Sequence, residues 1–293
     1  MVLIPDNTKT TEHVIETKEF GGKRPREYLG MSSLGNECLR AQWYTWHWSK
    51  IGKVIARVNR IFNYGHHEEE HIIHDLKEAG MKVYLVNEEG NEVSMTGIVG
   101  EEQETIVGFH QHCKGHPDGR VLGVIEAPKT PHLLEMKTMN DKWFQVLKEA
   151  IFKHGPEKGL KEAFAGYYDQ MTRYMGGLKL TRGLFIATNK NDQARRYVRV
   201  HFNKKRFETL VEREELIITS ELPPKKKYKA DHYKCAFCNH HQVCHLGAIP
   251  AVNCRTCKFS DLLPAGKWGC GKTGKRLSYN KQLRGCRSYK RLF

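Results

Sequence analysis

Glu135 and Lys137 are an acid and a base two residues apart, with the apolar Met136 between them. The preceding residues, HLL, are apolar enough to form a strand, and positions i and i+2 of a strand face the same side. Glu135 and Lys137 would then project together while Met136 points into the core. An acid and a lysine held side by side at a strand end can bind a divalent cation and orient a water molecule.

Three further motifs contain side chains that could complete such a site. Asp118 lies at the glycine-rich turn GHPDGRV, before a strand that would pair with the one described above. Gln170 and Tyr174 are four residues apart on a predicted helix and share one of its faces. Residues 60–80 carry a run of acids and histidines after Gly65, which permits close approach of the chain. Singly, each motif is also explained by an ordinary turn or a solvated helix face.

The hydrophobic pattern places these motifs in a series of helices and strands. Helices are predicted from about residue 32, over 54–79 with a break near Gly65, and over 143–152, 160–178 and 204–219. Strands are predicted from residues 81, 92, 104, 120, 132, 182 and 195. This order predicts an α/β fold of the α+β type, with a mixed sheet flanked by helices.

Charge divides the chain near residue 222. The net charge is +15, and residues 222–293 carry 16 Lys and Arg against two acids, so the preceding part is almost neutral. Such a segment ordinarily neutralises a polyanion, although a solubilising tail would have the same composition. The residues predicted to contact DNA are Lys225, Lys226, Lys227, Lys229, Arg255, Lys272, Lys275 and Arg276.

Apolar runs and cysteine positions bear on the compartment. No apolar run reaches the roughly 18 residues of a membrane span, and the first residues lack a signal-peptide pattern, so a soluble cytoplasmic protein without membrane association is expected. Seven of the nine cysteines lie in the last 59 residues. In a cytosolic chain this clustering favours metal sites over disulfides.

Together, the order Asp118, Glu135-x-Lys137 and Gln170-x-x-x-Tyr174 resembles the PD-(D/E)XK nuclease superfamily. More narrowly, it resembles the RecB-like branch, in which a Q-x-x-x-Y helix follows the E-x-K strand. The resemblance covers about residues 32–246.

The same branch has an upstream G-x-x-x-H or G-x-x-x-E helix whose last residue binds metal. The run beginning at Gly65 puts Glu69 at that place, and the preceding RIF resembles the start of this motif in phage members of the branch. Because Glu68 and Glu70 flank it, which of the three acids is the ligand stays open.

This resemblance implies a restriction-endonuclease-like core that binds Mg²⁺ or Mn²⁺. The implied metal ligands are Glu69, Asp118, Glu135 and the main-chain carbonyl of Met136. Lys137 would orient or deprotonate the attacking water, and Gln170 and Tyr174 would orient the lysine, the substrate phosphate or a base. The implied function is a DNA exonuclease of phage-type recombination or DNA processing, with a single-strand annealing or other recombination protein as a further partner. The alternatives are a structure-specific DNA endonuclease and a non-catalytic nucleic-acid-binding protein.

The first cysteine group, Cys235-x-x-Cys238-x5-Cys244, supplies three thiolates. In four-cysteine relatives, the AddB-type helicase-nuclease domains and the CRISPR-associated exonucleases, one cysteine precedes the nuclease motifs and the four bind a [4Fe–4S] cluster. Cys38 has that position, so the resemblance implies a cluster on Cys38, Cys235, Cys238 and Cys244. Zinc is the alternative, with a histidine replacing Cys38. The candidate histidines are His240, His241 and His245.

The second group, Cys254, Cys257, Cys270 and Cys286, suits a closed structural Zn²⁺ site. The predicted organisation is therefore a flexible N-terminal arm over 1–30, a nuclease domain closed by the iron–sulfur cluster over 31–248, and a small basic zinc-binding module over 249–293.

Overall fold

The computed structural model describes residues 10–17, 25–52, 55–85 and 104–293. The strand predicted from residue 92, most of the predicted N-terminal arm and the predicted helix start at residue 54 lie outside these ranges. The helices are α1 (Thr11–Thr17), α2 (Leu39–Trp46), α3 (Ala56–Glu78), α4 (Asp141–His154), α5 (Pro156–Ala163), α6 (Ala165–Leu178), α7 (Lys204–Thr219), α8 (Tyr233–Ala236), α9 (His241–His245) and α10 (Tyr279–Gln282). The strands are β1 (Leu29–Gly30), β2 (Lys82–Tyr84), β3 (Ile106–Val107), β4 (Cys113–Gly115), β5 (Gly119–Leu122), β6 (His132–Met139), β7 (Arg182–Asn189), β8 (Arg195–His201), β9 (Ser260–Leu263), β10 (Lys267–Cys270) and β11 (Lys275–Leu277).

A five-stranded sheet in the order β2-β5-β6-β7-β8 forms the centre of the molecule. β6 and β7 run parallel, with Glu135 opposite Phe185, and the other neighbouring strands are antiparallel. The parallel pair requires a long crossover connection, which α4, α5 and α6 supply. The predicted mixed α/β fold is therefore confirmed.

Each face of this sheet is covered by helices. Ile72 and Leu76 of α3 pack with Leu134 and Met136 of β6 on one face. On the other face, Leu133 of β6 joins a core that includes side chains of α4, α6 and α7. Because strand side chains alternate, Glu135 and Lys137 share the Leu133 face, whereas Met136 lies under α3.

Helix α3 runs unbroken through Gly65, so the predicted break there is wrong. A Cβ atom at Gly65 would lie 3.8 Å from Thr138 Oγ1, an ordinary van der Waals distance, so the packing of α3 on β6 does not require glycine. Conversely, the helix predicted over 160–178 is divided at Phe164, whose φ of −140° and ψ of 64° are not helical. No helix within the described ranges combines the length and the apolar character needed to cross a bilayer.

Two predicted strands are shorter than expected. The run from residue 81 forms only Lys82–Tyr84, and the run from residue 104 forms only Ile106–Val107 before a 3₁₀ turn at Phe109–Gln111. A residue distant in sequence fixes this turn, because the Phe109 N–H donates to the buried carboxylate of Glu214 on α7 at 2.6 Å.

Segments near both ends of the described chain have regular structure. Within the predicted arm, residues 11–17 form a helix with no buried residue, and β1 pairs parallel with β4. Near the other end, β9, β10 and β11 form a small antiparallel sheet. Its Trp268 packs at 5.0 Å on Trp46 of α2 rather than forming a separate core.

Candidate active site

The site begins where β5 separates from β6. Pairing ends at Gly119, and the next residue toward the N-terminus, Asp118, accepts a hydrogen bond from the main-chain N–H of Met136 at 2.7 Å. Gly119 has a φ of +151°, and a Cβ atom there would lie 3.0 Å from the Tyr84 carbonyl oxygen. The turn thus replaces a main-chain acceptor of the sheet by a carboxylate.

Lys137 contacts three oxygen groups at the point where β5 and β6 separate. Its Nζ lies 2.5 Å from Glu135 Oε1 and 3.6 Å from Asp118 Oδ2, and it donates to the Met136 carbonyl at 2.9 Å. Burial alone would lower the pKa of Lys137, but the charges of Asp118 and Glu135 hold it above its usual value. The side chain is therefore an ammonium ion surrounded by three oxygen groups.

Glu135 is fully buried, and helix α6 fixes one of its oxygens. Gln170 Nε2 donates to Glu135 Oε1 at 2.6 Å. Within the described part of the chain, the second oxygen, Oε2, has no hydrogen-bond partner although it is buried. Burial and the nearby charge of Asp118 raise the pKa of Glu135 to about 8. A buried carboxylate oxygen without a hydrogen-bond partner is stabilised by an additional positive charge.

The three acids of α3 have different surroundings. Glu68 is buried against Arg195, whose Nη2 lies 2.8 Å from Glu68 Oε1. Glu70 faces His67 at 3.9 Å. Only Glu69 lines the open cleft beside Met136 and Lys137, a space of about 300 Å³. Burial and the charge of Asp118 raise the pKa of Glu69, whose carboxylate also lies 3.5 Å from His66 Nδ1. By its place on the cleft, Glu69 is the one of the three acids that could join the site.

Tyr174 lies on the same helix as Gln170 and is also buried. It is 3% exposed, and burial raises its pKa above the usual value. One residue near Lys137 was not predicted: the ring of Tyr167 lies 5.9 Å from Lys137 Nζ. Its spacing from Gln170, three residues along the same helix, was the available signal.

The donor set fits a hard divalent cation, although the ligands are not yet gathered around one. As the side chains stand, no group of three or more His, Cys, Asp or Glu residues in the described ranges is arranged to hold a metal ion. Here the Lys137 ammonium occupies the space between Glu135, Asp118 and the Met136 carbonyl. Its position shows where these groups attract positive charge. The same groups offer oxygen ligands, including the unpartnered Glu135 Oε2, and Mg²⁺ and Mn²⁺ prefer oxygen ligands.

The first cysteine group lies around one small pocket. Cys38, at the start of α2, lines it together with Cys235, Cys238 and Cys244. Burial and the neighbouring sulfurs raise the pKa of Cys235. The sequence separates these residues widely, and the fold places them around one pocket, although as the side chains stand they are not arranged to hold a metal ion.

The histidines that could replace Cys38 differ in availability. His240 hydrogen-bonds to Thr45 Oγ1 and to Ser49 Oγ, each at 2.9 Å. Both of its ring nitrogens are thus engaged, which argues against His240 as a ligand. His241 and His245 line the pocket with the cysteines.

The second cysteine group is also brought together. Burial, followed by the charges of Cys286, Cys257 and Cys270, raises the pKa of Cys254 to about 11. Cys257 N–H donates to the Cys254 carbonyl at 3.2 Å, which folds the C-x-x-C segment into a tight turn. The four cysteines are thus near enough to influence one another, but as the side chains stand they are not arranged to hold a metal ion.

Arg255, predicted to contact DNA, is fully buried, so this prediction is wrong. Its guanidinium lies 4.8 Å from the Trp46 ring, 3.7 Å from the Trp48 ring and 4.5 Å from the Trp268 ring. It also donates to Gln282 Oε1 at 2.9 Å. The residue therefore joins the C-terminal segment to α2 and cannot reach a phosphate.

The remaining predicted DNA contacts are exposed. They are Lys225, Lys226, Lys227, Lys229, Lys272, Lys275 and Arg276. Lys227 is partly neutralised, because its Nζ lies 2.7 Å from Glu37. Lys272 donates to Ser288 Oγ at 2.9 Å.

Comparison with known proteins gives a likeness of overall shape only. No protein-family model and no curated protein matches the chain. The alkaline exonuclease LHK-Exo of Laribacter hongkongensis is 15% identical over 67% of this chain and 87% of that chain, with a TM-score of 0.39. LHK-Exo in complex with dAMP is 14% identical over 66% of this chain and 86% of that chain, with a TM-score of 0.43. SSO0001 is 14% identical over 80% of this chain and 90% of that chain, with a TM-score of 0.39. Likenesses this distant say nothing about the chemistry of the site.

Proposed function

We propose that this protein is a metal-dependent nuclease that hydrolyses phosphodiester bonds of DNA, and that it acts as an exonuclease. The observation that carries the proposal is the convergence of Asp118, Glu135 and the Met136 carbonyl on the single positive charge of Lys137. The motif order that resembles RecB-like nucleases supports it independently, because that order comes from the sequence and the convergence comes from the fold.

The cation ligands would be Glu69, Asp118, Glu135 and the Met136 carbonyl. A bound Mg²⁺ or Mn²⁺ would supply a water of lowered pKa and a positive charge next to the scissile phosphate. Gln170 holds Glu135 in one orientation through the hydrogen bond at 2.6 Å, so the carboxylate need not reorganise when it takes up a cation.

Lys137 would act as a charged donor rather than as the general base. The carboxylates raise its pKa, so the amine keeps its proton at neutral pH. Its ammonium would orient the attacking water or contact a phosphate oxygen, where negative charge develops during hydrolysis. The sequence left open whether Lys137 orients or deprotonates the attacking water, and its raised pKa favours orientation.

The DNA itself would be held by the exposed lysines and Arg276 of residues 222–293. Neutralising backbone phosphates requires no base recognition, so this surface would bind DNA without strong sequence preference. The setting would be phage-type recombination or DNA processing, in which a single-strand annealing or other recombination protein takes over the product strand.

The two cysteine groups would stabilise the fold. A [4Fe–4S] cluster on Cys38, Cys235, Cys238 and Cys244 would connect α2 to residues 235–244, and a Zn²⁺ ion on the second group would close the C-terminal sheet. For the cluster, the support is the shared pocket and the engagement of both His240 nitrogens.

The proposal is tested by digesting end-labelled linear DNA and closed circular DNA with Mg²⁺, with Mn²⁺ and with EDTA. We expect cation-dependent release of nucleotides or short oligonucleotides from linear DNA and no cutting of circles. Cutting of circles would favour the structure-specific endonuclease. Binding without cleavage under any cation, by protein carrying its iron and zinc, would favour the non-catalytic alternative.

A further inference from the structure

Three aromatic rings lead from the surface to Lys137. The Trp143 ring lies 6.1 Å from that of Phe164, and Phe164 lies 5.4 Å from Tyr167. The Tyr167 ring is in turn 5.9 Å from Lys137 Nζ. We call Trp143, Phe164 and Tyr167 the aromatic row.

The row is fixed to the strand that carries the candidate catalytic residues. Trp143 lies in the first turn of α4, which begins two residues after β6 ends. Its main-chain N–H donates to the side chain of Asn140 at 3.1 Å, which holds this turn in place. Phe164 occupies the break between α5 and α6, and Tyr167 packs on Phe185 of β7 at 5.7 Å. The positions of the rings therefore depend on the sheet and not on a loose loop.

Trp143 is exposed in a way that the other tryptophans are not. Its relative exposure is 48%, whereas Trp43, Trp46, Trp48 and Trp268 are at most 2% exposed. The ring planes of Trp143 and Phe164 meet at 66°, which is an edge-to-face contact and not a stack, so Trp143 keeps about half of its surface exposed. Lys142 Nζ lies 5.8 Å from the same ring. Ammonium groups thus stand at both ends of the aromatic row.

This combination fits the chemistry of an unpaired nucleotide. Any nucleobase can stack on an aromatic face, and an adjacent ammonium can contact the phosphate that follows. A base inside a duplex has its faces covered by its neighbours, so only a single strand or a frayed end offers one.

We propose that Trp143, at the exposed end of the aromatic row, stacks an unpaired base of the strand that approaches Lys137, so that the substrate is single-stranded DNA or a frayed end. This inference deepens the proposed function and rests on it for the identity of the strand that is cut. The occupant is a DNA strand rather than a protein partner, because the row ends at the ammonium group that faces the candidate metal ligands.

Intrinsic fluorescence tests the binding step without any cleavage. Because the other four tryptophans are buried, quenching by a ligand in solution reports on Trp143. A single-stranded oligothymidylate, added without Mg²⁺ or Mn²⁺ to protein that retains its iron and zinc, is expected to quench this emission. A blunt duplex of equal length should quench it much less, and Trp143→Phe should remove the response.

Affinity is measured in parallel by the anisotropy of a labelled oligothymidylate. Trp143→Ala should bind it roughly tenfold to a hundredfold more weakly, the effect of losing one stacked base. The matched control is Phe152→Ala, because Phe152 is 94% exposed on the opposite side of the same helix. It should bind like the wild type. Equal losses in both variants, or equal quenching by duplex and single strand, would overturn the proposal.

Cleavage separates this inference from the proposed function. If the nuclease assignment is right, Trp143→Ala should raise KM on single-stranded DNA while kcat stays within about twofold, because the ring lies outside the reacting groups. If no cleavage occurs at all but the oligothymidylate still quenches Trp143, the function fails and the stacking surface stands. If cleavage occurs and Trp143→Ala leaves KM unchanged, the stacking proposal fails and the function stands.

Discussion

The Asp118 carboxylate accepts the main-chain N–H of Met136 at 2.7 Å, in the position where a strand carbonyl would otherwise act as acceptor. One side chain thus completes the edge of the sheet and also directs negative charge at Lys137, 3.6 Å away. A structural and a chemical role are combined in Asp118, and substitutions can separate them.

Asp118→Asn should separate the two roles. The amide oxygen can still accept the Met136 N–H, so the free energy of unfolding in urea should change by less than about 1 kcal/mol, whereas Asp118→Ala should cost about 1–3 kcal/mol because the N–H is left without an acceptor. Both variants should lose cleavage by roughly a hundredfold or more, because the carboxylate proposed to hold the cation has lost its charge. An Asp118→Asn enzyme with normal turnover in Mg²⁺ would show that the charge is not used.

Lys137→Ala should abolish cleavage while leaving DNA binding largely intact. The ammonium contacts the candidate metal ligands and not the basic surface of residues 222–293. We expect a decrease in turnover of about 10²–10³-fold, the usual effect of removing one donor that stabilises developing negative charge. Filter binding and end-label release measure the two properties separately. Near-normal turnover by the variant would remove Lys137 from the mechanism.

Arg255→Met should destabilise the protein without changing the salt dependence of DNA binding. The substitution leaves the Gln282 Oε1 atom and the carbonyls of Trp46 and Glu27 without their donor, at a cost of a few kcal/mol. The comparison is a triple alanine variant of the exposed Lys225, Lys226 and Lys229. It should lower the slope of log K against log salt by about 0.9 for each phosphate that the variant no longer neutralises. A lower slope in a folded Arg255→Met protein would restore Arg255 as a DNA-binding residue.

Stability should fall as the pH is lowered through the range below about 6.5. Burial, with a smaller effect of the Arg255 charge, lowers the pKa of His47 to about 3, whereas the unfolded chain has a value near 6.5. Between these pH values the unfolded state binds a proton that the folded state does not, so stability is fully present above the unfolded pKa and decreases toward pH 3. Urea midpoints of wild type and His47→Gln, both in the same metal-loaded form, check this. The variant should show the shallower decrease, and parallel curves would contradict the assignment to His47.

Cys38→Ser should remove iron but not zinc. Protein purified anaerobically should absorb broadly at about 400 nm, as thiolate-bound iron does, and the variant should lose this absorbance together with thermal stability. Cys254→Ser is the matched variant of the second group and should lose zinc only. Metal analysis distinguishes the outcomes. Stoichiometric zinc and no iron in colourless wild-type protein would assign zinc to the first group.

The sequence predicted those features that depend on the local pattern of residues. The amphipathic run 204–219 was predicted with the observed bounds of α7, and Glu135 and Lys137 were expected on one strand face because alternation is a local property. The hydrogen bond between Gln170 and Glu135 was not predicted, because Gln170 was expected to orient the lysine, the phosphate or a base.

Contacts between distant segments could not be predicted. Nothing around Arg255 indicates that three tryptophans will surround it, because two of them come from residues 46–48. The break at Phe164 depends on how α5 and α6 pack on the sheet, and the run around it looks helical throughout. Among Glu68, Glu69 and Glu70, the choice depended on Arg195, which engages Glu68 from β8.

The tryptophans in and just after α2 acquire their packing partners late in biosynthesis. Trp46 and Trp48 are enclosed by Arg255 and Trp268, and Trp43 contacts Phe293 at 4.9 Å. A ribosome releases α2 long before those partners exist, so the nascent chain carries these rings without their native cover for most of translation. Production of this protein should therefore be sensitive to chaperone supply and to translation speed over the codons for residues 255–293.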